Sequence, residues 1–379
     1  MRRTFIKKGA LGAALGLVSS PVFATTSHYE LEVIPNFTSD GLGLSPLEYS
    51  QLLVEITKKQ AIKADVYGMG GNIHAFEEKV AATLGKEKAI YMPTGTLANH
   101  IALRQHCTKR KKILIQQQSH IYRDSGDALS HLSGIHLLPL GTDEVSFSLA
   151  AVEKSIQDAS VEKVHTGIEA ISIETPVRRQ HLQRFGFEKM EKISHYAREN
   201  NIAMHLDGAR IFGEAAIMGK DVRVYTALFD TVYISLYKYF NSIAGAMLAG
   251  PAELIDGLHN DRRMFGGGLR SAWENVVVAD FFFDGFPKRF QEAQKIGKGL
   301  LDKLKATRLY DYRRYENGTN VYLLTLTEGN PDKLQKNLLE YGVLFPTYNA
   351  KEKGFVIKLN ESLIGLEVDE MVNLFVKGR

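Results

Sequence analysis

Ser235-Leu-Tyr-Lys238-Tyr-Phe-Asn-Ser-Ile-Ala-Gly-Ala-Met-Leu248 sets one lysine between two apolar runs. The residues leading into it, Phe229-Asp-Thr-Val-Tyr-Ile-Ser235, are β-branched and aromatic and read as a strand. Those leaving it, Ala244-Gly-Ala-Met-Leu-Ala249, read as a second buried strand. A lysine at the mouth of such a pair is partly desolvated, the condition under which a neutral, nucleophilic amine becomes accessible for Schiff-base chemistry. A lone lysine at a strand end more commonly snorkels to solvent. What sets Lys238 apart is the company of two earlier stretches, Met204-His-Leu-Asp207-Gly-Ala-Arg210 and Pro93-Thr-Gly-Thr96-Leu-Ala-Asn99.

Working outward, apolar strands are expected over 89–92, 113–116, 168–173 and 202–206, alternating with helices over 96–105 and 187–200. A helix capped by Asn72 is expected to bury Ile73, Phe76, Val80 and Leu84 and to stop at Gly85. Such alternation predicts an α/β fold, a mostly parallel sheet between helices, with ligands beyond the carboxyl ends of the strands. After about residue 251 the helices lengthen, and strands over 321–326, 343–346 and 355–359 predict a smaller C-terminal α+β domain. The expected division is a signal segment over 1–24, an arm and helix over 25–60, a large domain over 61–260 and a small domain with linking helices over 261–379.

The chain of 379 residues is 44% hydrophobic and 24% charged, an ordinary globular composition. Its net charge of +4 is spread along the sequence, and the one basic cluster, at 109–112, reads as a solvated turn, so nothing points to nucleic acid. A single cysteine, Cys107, excludes an internal disulfide, and no His, Asp or Glu grouping has metal-ligand spacing. The N-terminus carries paired Arg2 and Arg3, an apolar stretch over 9–18 and Val22-Phe-Ala24, a small-residue cleavage pattern. This resembles a twin-arginine export signal cut after Ala24, with a periplasmic destination and no stable membrane span once removed. That route is associated with passengers that fold and load a cofactor before export.

Three further segments carry candidate chemistry. The strand–turn–helix around Thr94, Gly95 and Thr96 presents free backbone N–H groups and small hydroxyls to an anion, although the same residues serve as ordinary helix caps. Asp207 closes a buried strand, and a buried carboxylate requires a partner. That partner is either Arg210 or a protonated ring nitrogen of a cofactor, which an aspartate would keep cationic and electron-withdrawing. His120 follows the next strand and reaches the same sheet end, while Arg263-Met-Phe-Gly-Gly-Gly268-Leu-Arg270 offers two arginines and close backbone approach.

Taken in order, these motifs, with His205-Leu-Asp-Gly-Ala-Arg-Ile-Phe212 and Asp65-Val-Tyr-Gly68, resemble the threonine aldolase and β-eliminating lyase group of pyridoxal-phosphate enzymes. The resemblance covers the chain from about Asn36 onward and implies the aspartate-aminotransferase fold, with a seven-stranded type of sheet. It implies that Lys238 holds pyridoxal 5'-phosphate as a Schiff base, that Asp207 pairs with the pyridine nitrogen and that Arg210 contacts the cofactor. Thr94, Gly95 and Thr96 would hold the phosphate and His120 would stack on the ring. Arg263 and Arg270 would reach a phosphate across a homodimer or homotetramer interface with shared sites. Ser39 matches a substrate-carboxylate serine.

The departures are specific. The lysine is flanked by Tyr237 and Tyr239 where the group has serine and glycine, and Asp124 and Ser125 stand where a tyrosine and glutamate follow the stacking histidine. A second active-site histidine is not matched in Glu174-Thr-Pro-Val-Arg178-Arg179. Lys358 stands where an arginine grips the substrate carboxylate, keeping the charge and losing the bidentate fork, with Arg178 or Arg179 as a compensating candidate. The function implied is retro-aldol cleavage of a β-hydroxy amino acid, with His120 as base. The alternatives are another lyase or a transaminase of the same fold, and a non-catalytic cofactor-binding protein.

Overall fold

A computed structural model describes residues 20–23, 30–108, 112–164 and 166–379. Residues 1–19 of the expected export signal, its cleavage point at Ala24 and most of the basic turn at 109–112 lie outside the described residues. Within the signal segment only β1 (Ser20–Phe23) is described, paired antiparallel with β2 (Glu30–Val33). No described helix is long and apolar enough to cross a membrane.

The chain divides into two units, the larger comprising Leu53–Pro287 with Tyr315–Thr319. Its centre is a seven-stranded sheet built from β3 (Lys88–Met92), β4 (Lys112–Gln116), β5 (His136–Leu140), β6 (Ile168–Glu174), β7 (Ala203–Asp207), β8 (Thr231–Ser235) and β9 (Ala246–Gly250). Their order is β3-β9-β8-β7-β6-β4-β5, parallel throughout except that β9 runs antiparallel to both β3 and β8. The central strands are near-continuous apolar runs because helices cover both faces; every residue of β8 and β9 is buried. β5 is absent from the sequence reading. Its Pro139 cannot donate to a ladder, and the strand is accordingly an edge strand paired only with β4.

The helix Gly71–Leu84 buries Ile73, Phe76, Val80 and Leu84 and ends at Gly85 in the left-handed region (φ 63°). Its start differs from expectation. Gly70 is the N-cap, and Asn72 lies inside the first turn, where Oδ1 accepts from the Lys63 N–H at 2.7 Å. The amide thus ties the helix to the preceding loop instead of to its own N-terminus. Cys107 is buried, and burial pushes its thiol up to about 12, which keeps it a packing residue.

The smaller unit gathers the described residues up to Leu52 with Lys288–Arg314 and Asn320–Arg379. Its antiparallel sheet is β10 (Tyr310–Arg314), β11 (Val321–Leu326) and β12 (Phe355–Lys358), packed by Leu300, Leu304, Leu334, Phe375 and their neighbours. The strand expected over 343–346 forms only a single bridge, Leu344 to Asn36.

Glu214, fully buried in the helix Ile211–Met218, accepts from the Thr175 hydroxyl at 2.7 Å, and burial pushes its carboxyl from 4.5 up to about 7. Such a group binds its proton more tightly folded than unfolded. Its contribution to stability is complete below about pH 4.5 and is lost as pH rises through about 7. Glu214→Gln should therefore flatten the decline of melting temperature across that window, by an amount corresponding to about 1–3 kcal/mol. Parallel pH–melting curves for the two proteins would show that Glu214 does not titrate there.

Candidate active site

The carboxyl ends of the parallel strands gather the site. β6 and β7 pair in register so that Glu174 stands beside Asp207, and β7 pairs with β8 so that Asp207 stands beside Tyr233. Both carboxylates are buried, at 3% and 1% exposure. Burial first, and the charge of Asp207 second, push Glu174 up to about 7. Each is held by N–H donors. Asp207 Oδ2 accepts from Asn99 Nδ2 at 2.8 Å and Oδ1 from the Ala209 N–H at 3.3 Å. Glu174 accepts from the backbone N–H of His120 at 2.5 Å and of Arg178 at 2.8 Å.

Asn99 belongs to the helix Gly95–His106, which springs from the end of β3 with Thr94 as N-cap; its hydroxyl accepts from the Leu97 N–H at 3.1 Å. Gly95 is sterically required. A Cβ there would lie 2.0 Å from the Tyr233 hydroxyl oxygen, so the phenol of β8 fills the place a side chain would take. Thr96, Asn99, His120 and Ser125 line one narrow cavity, which places the helix N-terminus and the histidine on a common space.

Lys238 sits in the connection between β8 and β9, pinned at its base by Leu236 N–H to Gly245 O at 3.1 Å and by Ser242 N–H to Leu236 O at 3.3 Å. Gly245 has φ +104° and packs against the Tyr91 ring, a conformation and a clearance that suit only glycine. The lysine Nζ lies 4.8 Å from the Tyr237 ring centroid and 5.9 Å from that of Tyr233. Tyr233 thus connects the lysine loop, Asp207 and the helix at Gly95; burial raises its phenol well above the ordinary range and keeps it neutral. Arg210 is buried as N-cap of the helix Ile211–Met218.

His120 opens a short helix after β4, with Nδ1 3.8 Å from Asp124 Oδ2. Asp124 also takes Arg178 Nη1 and Arg179 Nη1, each at 3.0 Å. Arg263 and Arg270 flank the exposed Tyr67 ring, at 4.8 and 5.7 Å. In the smaller unit, Ser39 accepts from Asn36 Nδ2 at 2.7 Å and donates to Gly41 O at 2.6 Å, while Lys358 pairs with Asp40 at 3.0 Å.

Asn99, Glu174, Tyr233 and Asp124 were not among the candidate residues of the sequence. For the first three a signal existed: each is a polar or phenolic group on an otherwise apolar strand or helix face, where burial demands a partner. Asp124 stands in the sequence only as a departure from the group's pattern, and its two arginine partners lie more than fifty positions away.

The family model described as Beta-eliminating lyase matches residues 55–327. A low-specificity L-threonine aldolase of Arabidopsis thaliana is 25% identical over 298 residues, spanning 77% of this chain and 83% of that protein. The low specificity L-threonine aldolase of Escherichia coli K12 is 26% identical over 296 residues, 78% of this chain and 86% of its own. A crystal structure assigned as an L-allo-threonine aldolase, from Listeria monocytogenes, superposes with a TM-score of 0.72 at 26% identity, covering 89% of this chain and 94% of that one.

Two substitutions test the architecture without any ligand. Gly95→Ala drives a methyl group into the Tyr233 phenol and should lower the melting temperature by several degrees. Glu174→Ala strips the acceptor from two N–H groups and should cost about 1–3 kcal/mol. Wild-type melting of either variant would contradict the packing or the hydrogen bonding described.

Proposed function

The chain belongs to the beta-eliminating lyase family, and on that premise we propose that it is a pyridoxal-phosphate-dependent lyase that cleaves the Cα–Cβ bond of a β-hydroxy amino acid to glycine and an aldehyde. One observation carries the reading. An amine, a buried carboxylate and the N-terminus of the helix Gly95–His106 converge on one sheet end within a single unit. These are the complements of an aldehyde, a pyridine nitrogen and a phosphate ester.

The residues present suit that group. Lys238 supplies the amine, Asp207 an acceptor for a protonated ring nitrogen, and Thr94, Gly95 and Thr96 the phosphate end, where the first backbone N–H groups of the helix stand. The cofactor, when bound, supplies an electron-withdrawing ring that makes the Cα–Cβ bond electrons acceptable. Arg210, buried as the N-cap of the helix Ile211–Met218, is a cation felt by Glu174 and Tyr233 at the same sheet end. His120 takes the proton of the substrate β-hydroxyl on Nε2, since Nδ1 is turned toward Asp124. As the C–C bond breaks, the hydroxyl carbon leaves as the aldehyde and Cα gains a proton to give glycine.

Glu174 acts through its neighbours. By accepting both the His120 and the Arg178 N–H it fixes where these two side chains start, so the base and the arginine share one anchor. Arg178 and Arg179, joined through Asp124, form the cationic side of this end of the sheet and are read as part of substrate recognition. We include in the proposal a homo-oligomer using Arg263 and Arg270 at a partner's site, and export directed by residues 1–24.

Purified protein loaded with pyridoxal phosphate should release acetaldehyde from L-threonine or L-allo-threonine. Lys238→Ala should lose the near-visible absorption band and about 10³-fold or more of the rate. A loaded wild-type protein that forms no aldehyde from either substrate would remove the aldolase assignment.

A further inference from the structure

Behind Asp207 runs a line of side chains that the proposed reaction does not use. Asn99 Nδ2 donates to Asp207 Oδ2 at 2.8 Å, and Asn99 Oδ1 faces His205 Nε2 at 2.9 Å. On its other side His205 Nδ1 lies 2.8 Å from Thr231 Oγ1, which in turn lies 2.8 Å from His106 Nε2. Asn99, His205 and Thr231 are buried, at 2%, 0% and 0% exposure. The fold brings them together from two directions. Asn99 and His106 are seven residues apart, two turns along one face of the helix Gly95–His106, while His205 and Thr231 are register partners on β7 and β8 beneath it.

The donors and acceptors of this line can be assigned from one end. A carboxylate oxygen only accepts, so Asn99 must turn its NH2 toward Asp207 and its carbonyl toward His205. That carbonyl only accepts, so His205 carries its proton on Nε2 and presents a bare Nδ1. Thr231 must then give its hydroxyl hydrogen to Nδ1, and its oxygen accepts from His106 Nε2–H. Every hydrogen bond points the same way, from His106 toward Asp207. Burial depresses His205 to about 3, in keeping with a neutral ring that relays polarity instead of charge. In a low-dielectric interior aligned bonds of this kind polarise and strengthen one another.

We propose that Asn99, His205, Thr231 and His106 form a one-way hydrogen-bond relay that orients Asp207 toward the cofactor's ring nitrogen, with Thr231 a positioning residue for a site it does not touch. The relay holds Oδ2, so that Oδ1, which also accepts from the Ala209 N–H at 3.3 Å, is the oxygen whose remaining lone pair serves the ring. It rests on the cofactor assignment above, and its effect should appear in cofactor affinity as well as in turnover. Thr231→Val replaces the hydroxyl by a methyl of similar size, removes the donor from His205 and leaves His106 facing carbon.

Spectrophotometric titration of the apoprotein with pyridoxal phosphate should give a dissociation constant about tenfold weaker for Thr231→Val than for wild type, the size of one buried hydrogen bond. Thr231→Ser, which keeps the hydroxyl, should return it to within about twofold. Equal affinities for wild type and Thr231→Val, with only a lower melting temperature, would reduce the line to a structural role and overturn the inference. Nitrogen-15 NMR of histidine-labelled wild-type apoprotein gives a test independent of any variant's folding: His205 must appear as the neutral Nε2–H tautomer, and a Nδ1–H form overturns the relay. A wild-type protein that binds no pyridoxal phosphate refutes the cofactor assignment and the relay with it, whereas normal wild-type binding with an unaffected Thr231→Val refutes the relay alone.

Discussion

Two carboxylates ending adjacent parallel strands, Glu174 and Asp207, are the constraint around which the large unit is arranged. Neither can be left bare in a sheet end of low dielectric, and each repels the other. The chain resolves this by giving them different donors. Glu174 takes backbone N–H groups from the two segments that follow β4 and β6, so that loop geometry depends on it. Asp207 takes a side-chain amide from the helix above the sheet and the Ala209 N–H of its own loop, with acceptor capacity remaining on Oδ1. One carboxylate is thereby built into the scaffold, and its neighbour is the one we propose for the chemistry.

The fold was legible because its signals are local. The apolar runs of β3, β4, β6, β7, β8 and β9, and the glycine stop of the helix Gly71–Leu84, follow from periodicity and from backbone conformations that few residues adopt. β5 escaped notice because Pro139 argues against a strand unless its edge position is known. The candidate site was legible in part for the same reason. Lys238, Asp207 and Thr94–Thr96 each lie beside a strong strand or helix signal. Tyr233 against Gly95, and Asp124 between Arg178 and Arg179, are meetings across the fold that no spacing encodes.

The smaller unit shows how a single charge can be put to local use. Lys358, at the end of β12, is engaged by Asp40, and the Asn360 amide donates to the carbonyls of Asn36 and Ser39. The N-terminal arm is therefore sewn to β12 by the segment around Ser39. An arginine at 358 would offer five donors in a plane to one carboxylate; lysine offers a compact charge that Asp40 can hold with a single contact.

The antiparallel strand β9 has a kinetic meaning. Because β8 and β9 are neighbours, Lys238 is carried on a hairpin whose two ends are fixed in the sheet and cross-braced at Leu236, Ser242 and Gly245. In the reaction we propose, the amine steps away and returns in each turnover, and it can do so by rotation of its own side chain, a motion of picoseconds to nanoseconds, with no slower opening of the loop that bears it.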